Sequence, residues 1–205
     1  MRWLEQEFGD YERIEGKKRD LSSLDLYNEE AAAVPAGSDG LIFLPYMSGE
    51  RTPIWDPYAK GVYYGLDFGK TKGHFIRAAM EGTAFALKHN LDVAGEAGAH
   101  VDTMYAMGGS ANSRLWTQIK ADVTGRRIAV PSSDTATTLG AAILAGVGTG
   151  LYRDYDEAVS LTVHVQRVHE PDPGLKDAYE DNYETYLELY EQLKGIMKKR
   201  GERKK

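Results

Sequence analysis

The sequence predicts an α/β domain, a mixed sheet flanked by helices. Three observations carry the prediction. Short apolar runs and longer amphipathic segments follow in the order strand, strand, helix, strand, helix, strand, helix, with further helices at the end. Pro45, Gly125 and Pro131 stand where a strand or helix should stop. No stretch is rich enough in Pro, Gly or Ser to act as a linker, so residues 1–205 read as one domain.

Each element has its own warrant. MRWLEQEFGDYERIEG has the pattern of an amphipathic helix tail, with Trp3, Leu4 and Phe8 on one side. SSLDLYNEEAAAV reads as a short helix with a Ser/Asp start. GLIFLPY is a buried strand ended by Pro45, and GVYYGLDF is a second strand. Between them SGERTPIWDPYAKG carries Pro53 and Pro57 and must be a loop. TKGHFIRAAMEGTAFALKHNLDVAGEAG is a long helix with Thr71 as its N-cap. Its face of Phe75, Ala78, Ala79, Gly82 and Phe85 would let another backbone approach closely. VDTMYAM is a strand, RLWTQIKADVTG a helix closed at Gly125, and RRIAVP a strand closed by Pro131. TATTLGAAILAGVGTG, rich in Ala and Gly, predicts a helix packed tightly against a neighbour. DYDEAVSLTV predicts a short helix. The last long helix, LKDAYEDNYETYLELYEQLKGIMKK, carries Tyr179, Tyr183, Tyr186 and Tyr190 at the spacing of a buried seam. That seam would pack internally, against another domain or across a homodimer. The closing KKRGERKK predicts a solvated, frayed end.

Composition narrows the function classes. The chain is 42% apolar and 27% charged, ordinary for a globular protein. A formal charge of −6 argues against a nucleic-acid binder, which would show a basic face. It leaves anionic small molecules open, because local backbone dipoles bind phosphate on acidic proteins. With no cysteine there is no disulfide framework and no thiolate nucleophile, which fits a reducing, cytoplasmic setting. No apolar run is long enough to span a bilayer.

The most informative stretch is YAMGGSANSRLW, residues 105–116, where a strand meets a glycine pair and then a helix. It is not a P-loop, because no Lys follows Gly108 and Gly109 at the required spacing. It is not a Rossmann turn, because the G-x-G-x-x-G spacing is absent. What remains is either a plain strand-to-helix turn or the Gly-Gly turn that lies against adenosine in actin-like ATPases. Glycine serves the latter because any Cβ would meet a flat base or ribose.

The surrounding residues favour the second. GVYYGLDFGKTKGHFIRAAME, Gly61 to Glu81, resembles the second signature of the FGGY carbohydrate kinases. The matching positions are Gly61, Tyr63, Gly65, Leu66, His74, Phe75, Ala78, Ala79, Met80 and Glu81. LPYMSGERTPIWDPYAKG, MGGSANSRLWTQIKADVTG and VPSSDTATTLGAAILAG resemble neighbouring family segments in family order, and MRWLEQEFG resembles the tryptophan-containing helix that precedes them. GERTP, Gly49 to Pro53, resembles the xylulokinase branch; gluconate kinases more often have alanine where Thr52 stands.

The resemblance implies an actin-like, ribonuclease H-like fold and a C-terminal, adenosine-binding half. It implies ATP across an interdomain cleft, Mg2+ held mainly through ATP and the other half, and a sugar on an N-terminal domain that also supplies the catalytic aspartate. No segment here resembles that N-terminal half, so no catalytic base and no metal ligand are expected in this chain, and the chain alone should not turn over. The sugar implied is a ketopentose, D-xylulose first, with gluconate, ribulose or another polyol as the alternative. A non-catalytic nucleotide-binding or assembly module is the alternative of another class.

The resemblance also nominates residues. Gly108 and Gly109 would contact adenine and ribose. Ser113 either faces the adenine edge or N-caps the next helix. Ser110 stands where relatives often have a third glycine. Arg2 lies where glycerol kinases place a nucleotide-contacting glutamine. His74, in the first turn of the long helix, reads as structural. Arg77 and Glu81, four apart, read as a helix-face pair worth a few tenths of a kcal/mol, about 0.3. Glu50 and Arg51 serve a cleft or hold their loop as an ion pair. Asp134 reads as a helix cap rather than a metal ligand. The other histidines show no metal-ligand spacing.

Overall fold

One long helix carries the architecture. In this computed structural model, which describes residues 1–132 and 136–203, α4 (Lys72–Glu96) packs on a two-stranded hairpin and on a helix, α6 (Arg114–Thr124), that in turn packs on a three-stranded sheet. The hairpin pairs β1 (Ile42–Leu44) with β2 (Val62–Tyr64) antiparallel. The sheet has the order β3–β4–β5, from β3 (Thr103–Tyr105), β4 (Arg127–Pro131) and β5 (Val165–His169). Its β3–β4 pair is parallel and its β4–β5 pair antiparallel, so this is the mixed sheet. Around it lie α1 (Arg2–Phe8), α2 (Asp10–Arg19), α3 (Ser23–Ala32), the short α5 (Gly109–Asn112), α6 (Arg114–Thr124), α7 (Ala136–Gly148), α8 (Tyr155–Thr162) and α9 (Lys176–Glu202).

Local chemistry explains the boundaries. Ser22 and Asp25 close a capping box at the start of α3. At α4, His74 Nδ1 reaches back to the Thr71 amide at 3.0 Å and the Thr71 hydroxyl at 2.9 Å. Gly125, at φ +62°, ends α6 in the left-handed conformation that a C-cap needs. At Gly82 a Cβ would run into the Phe43 carbonyl oxygen, so α4 sits directly on β1. That is the close approach its small-residue face predicts.

The tyrosine seam is buried within the chain. Tyr179, Tyr183, Tyr186 and Tyr190 face α4 and β1, and each hydroxyl has a partner. Tyr186 bonds Tyr46 at 2.5 Å. Tyr183 donates to Asp92 at 2.7 Å, Tyr190 donates to Asp56 at 3.0 Å, and Tyr179 accepts from Arg77 at 3.1 Å. The Asp56 bond ties the proline-containing loop to α9.

Several expectations need correction. Arg77 and Glu81 are not a surface pair. Both are buried, with Arg77 Nε on Glu81 Oε1 at 2.8 Å. Glu81 also accepts from the Gly37 amide at 3.0 Å and the Ser38 hydroxyl at 2.7 Å. Burial opposes the Arg77 charge, yet Glu81 and Tyr179 outweigh it and hold the guanidinium above its ordinary value. Four bonds from one buried pair make it an internal strut joining α4, α9 and the loop after α3.

The N-terminal segment breaks at Gly9 into α1 and α2. Leu4 is buried, while Trp3 and Phe8 stay exposed and meet edge-to-face at 5.7 Å. Within this chain α7 buries Ile143 and Gly146. The C-terminal end does not fray at Lys198, since α9 continues to Glu202. β5 was not foreseen, because HVQRVH alternates toward solvent and lacks a sustained apolar run. The Asp134 reading falls outside the described residues.

Candidate nucleotide site

The turn after β3 is shaped by its glycines. Gly108 adopts φ +80°, ψ −175°, a conformation closed to side chains with a Cβ. It turns the chain from the strand into α5. Gly109 is different. Its backbone is not left-handed, and a Cβ there would meet nothing within 4 Å. The space it leaves belongs to no protein atom.

That space opens into a cavity of about 640 Å3 between α3 and the α5–α6 turn. Gly109, Ser110 and Ser113 of the turn line it, and Arg2, more than a hundred positions away in the sequence, joins them. Gly108 stands beside the lining and shapes the turn rather than the wall. Met80 and Trp116 form apolar surface. The indole is fixed to α4 through Nε1, which donates to the Thr83 hydroxyl at 2.9 Å and the Met80 carbonyl at 3.2 Å.

Ser113 is the N-cap of α6, accepting from the Trp116 amide at 3.0 Å. It also donates to Asn28 Oδ1 at 2.7 Å. The helix-cap reading of this residue holds, and the same side chain belongs to the cavity wall. Ser110 Oγ accepts from Lys120 Nζ at 3.2 Å. Lys120 also lies over the Trp116 ring at 4.7 Å, and burial lowers its ammonium pKa. Arg2 is exposed at the mouth.

Sequence reasoning missed the α3 wall. Ser22, Asp25 and Asn28 recur every third residue and face the cavity, while Leu26, Tyr27 and Ala31 are buried. The spacing marks a polar face, but nothing local says that the Gly-Gly turn packs opposite. Asp25 is the carboxylate of the lining among the described residues, and it accepts from the Ser22 amide at 3.0 Å and hydroxyl at 2.7 Å. The cavity thus has hydrogen-bonding and apolar surface for a ligand.

Other nominated residues lie elsewhere. His74 is buried, bonded to Thr71 and, through Nε2, to Asp39 at 3.0 Å, a structural role. Glu50 does not hold its loop by pairing with Arg51's charge. Its Oε1 accepts from the Arg51 amide at 2.7 Å and the Thr52 amide at 3.3 Å, while the guanidinium lies over Trp55 at 5.8 Å. Among the described residues no three His, Asp or Glu side chains cluster to hold a metal.

Residues 1–149 match the FGGY family of carbohydrate kinases, C-terminal domain. The chain belongs to this family. It is 34% identical over 196 residues to the xylulose kinase of Staphylococcus epidermidis, covering 96% of this chain and 38% of that protein. Among solved structures, ligand-bound xylulose kinase from Lactobacillus acidophilus superposes with a TM-score of 0.82 at 29% identity, covering 97% of this chain and 38% of that one. Plasmodium falciparum glycerol kinase with ADP superposes at 0.70 and 25% identity, covering 80% and 33%. This FGGY chain therefore has the actin-like, ribonuclease H-like fold of those kinases and spans about two fifths of the relatives' length. Among the described residues, no helix is long and apolar enough to cross a membrane.

Proposed function

We propose that this chain is the adenosine-binding half of a cytoplasmic sugar kinase that transfers the γ-phosphate of ATP to a ketopentose, D-xylulose first. The observation that carries the nucleotide assignment is the free space over Gly109, walled by Trp116, Ser110, Ser113 and α3. A flat base lies there without displacing any side chain. The family's ADP-bound glycerol kinase supports the ligand class. The GERTP loop and the xylulose kinase relatives support the sugar.

Phosphoryl transfer is mostly positioning and charge stabilisation, with Mg2+ bridging the phosphates. In this reading the chain's residues perform the first task. The Gly108–Gly109 turn and Trp116 set the plane of the base, and Arg2 stands at the mouth for an anionic group. Deprotonation of the sugar hydroxyl and metal binding fall to the other half of the kinase. Closure of the two halves would exclude water from the phosphates.

An NMR titration of ADP into this chain tests the site. The expected result is a dissociation constant of about 0.1–1 mM, with shifts centred on α5 and the start of α6. Gly109→Val places its side chain in open space, so the fold persists and binding is lost. Unchanged binding in that variant overturns the assignment. Binding orders of magnitude tighter, near about 1 μM, favours a self-sufficient nucleotide module instead. For the sugar, a panel of xylulose, ribulose, gluconate and glycerol with the longer protein is decisive. Phosphorylation of gluconate and not xylulose overturns the ketopentose.

A further inference from the structure

We propose that Asn28 reads the nucleobase, donating a hydrogen bond from its carboxamide nitrogen to a purine ring nitrogen. This rests on the nucleotide reading of the cavity and adds a specificity-determining residue on α3.

The Ser113 hydroxyl has a single proton. Its oxygen already accepts from the Trp116 amide at 3.0 Å. The proton goes to Asn28 Oδ1, 2.7 Å away. That bond fixes which way the carboxamide faces: Oδ1 toward Ser113, Nδ2 away from it. Nδ2 has no hydrogen-bond partner among the described residues, and it is not sealed from solvent. Asn28 lines the cavity, and its Nδ2 protons are free for a ligand there.

The other polar groups of the α3 wall are committed. Ser22 and Asp25 satisfy one another in the capping box. Tyr27 donates to the Leu4 carbonyl at 3.0 Å. Across the cavity, the Trp116 N–H is held by α4. Asn28 therefore brings an uncommitted donor to the α3 wall, beside the apolar Leu24 and facing Met80 and Trp116; Arg2, Ser110 and Asn112 are the other polar groups of the lining, on elements other than α3. A purine offers ring nitrogens as acceptors along its edges, and an amide N–H is the matching group. Ser113 acts through Asn28 as a positioning residue.

Asn28→Asp isolates this role. The carboxylate keeps an oxygen for the Ser113 hydroxyl and keeps the shape of the side chain. The atom facing the cavity changes from donor to acceptor and a negative charge is added; the charge weakens every nucleotide alike, so the diagnostic readout is the lost discrimination among the analogues. NMR titrations of ADP and its 1-, 3- and 7-deaza analogues into both proteins give the readout. The native chain should bind one deaza analogue roughly three- to tenfold more weakly than ADP. Asn28→Asp should bind ADP weaker by at least that factor and should no longer distinguish the same analogue. Ser113→Gly, which keeps most capping stability and frees the amide to rotate, should blunt the discrimination while ADP still binds.

Two outcomes overturn the proposal: Asn28→Asp binding ADP as the native chain does, or a native chain that binds all four nucleotides alike. If the native chain binds no ADP, the nucleotide reading itself fails and this proposal with it. Loss in Gly109→Val with full retention in Asn28→Asp removes Asn28 alone.

Discussion

Glu12 Oε1, on α2, is buried and accepts from no fixed donor. Its other oxygen bonds Lys72 at 2.5 Å. Glu30 of α3 is its coupled neighbour: with a proton on Glu30 the two carboxyls attract each other, and without it they repel. Burial raises the Glu30 carboxyl to about 7; the Glu12 carboxylate adds to the rise and Lys72 opposes it. The sign of the linkage follows. The unfolded chain releases this proton near the ordinary 4.5, the folded chain near 7, so the folded state holds more protons between them. Stability is therefore lost as pH rises through that window. Melting temperatures taken from about pH 5 to pH 8 should fall, and Glu30→Gln, whose amide donates at every pH, should flatten the fall. An identical pH slope in the variant contradicts the shared proton. At the same scale, the glycine pair was legible because its chemistry is local, whereas Asn28 was not. Asn28 and Ser113 are 85 positions apart in sequence, and only the packing of α3 beside α6 joins them.

At the scale of elements, α9 is held to the core by hydroxyl bonds as well as by aromatic area. Tyr46 and Tyr186 are 2% and 0% exposed, so neither hydroxyl has water as a substitute partner. Burial pushes the Tyr46 phenol up to about 12 and Tyr186 higher still, so both stay protonated at neutral pH. Tyr186→Phe should cost about 1–3 kcal/mol by stranding the Tyr46 hydroxyl. The double variant with Tyr46→Phe should cost less than the sum of the single changes. Urea unfolding of the four proteins checks this, and additive costs would refute the coupling. The helices with strong periodicity, α4, α6 and α9, were readable because one face of each is buried. β5 was not, since an edge strand with one wet face leaves no apolar run.

For the whole molecule, the site lies where α3, α4 and the α5–α6 turn converge, and each contributes what the others lack. The turn gives open space, α4 anchors the Trp116 wall, and α3 gives an oriented amide. On a chain of net charge −6, anion binding must come from such local groups. The family and the turn were legible from spaced motifs, but the second wall emerged only with the fold. The central claim is that adenosine occupies this cavity. A crystal structure of the chain with ADP tests it most directly. The account predicts the purine against Gly109 and Trp116, with a ring nitrogen within hydrogen-bonding distance of Asn28 Nδ2. Nucleotide bound elsewhere, or a cavity left empty at saturating ADP, would contradict it.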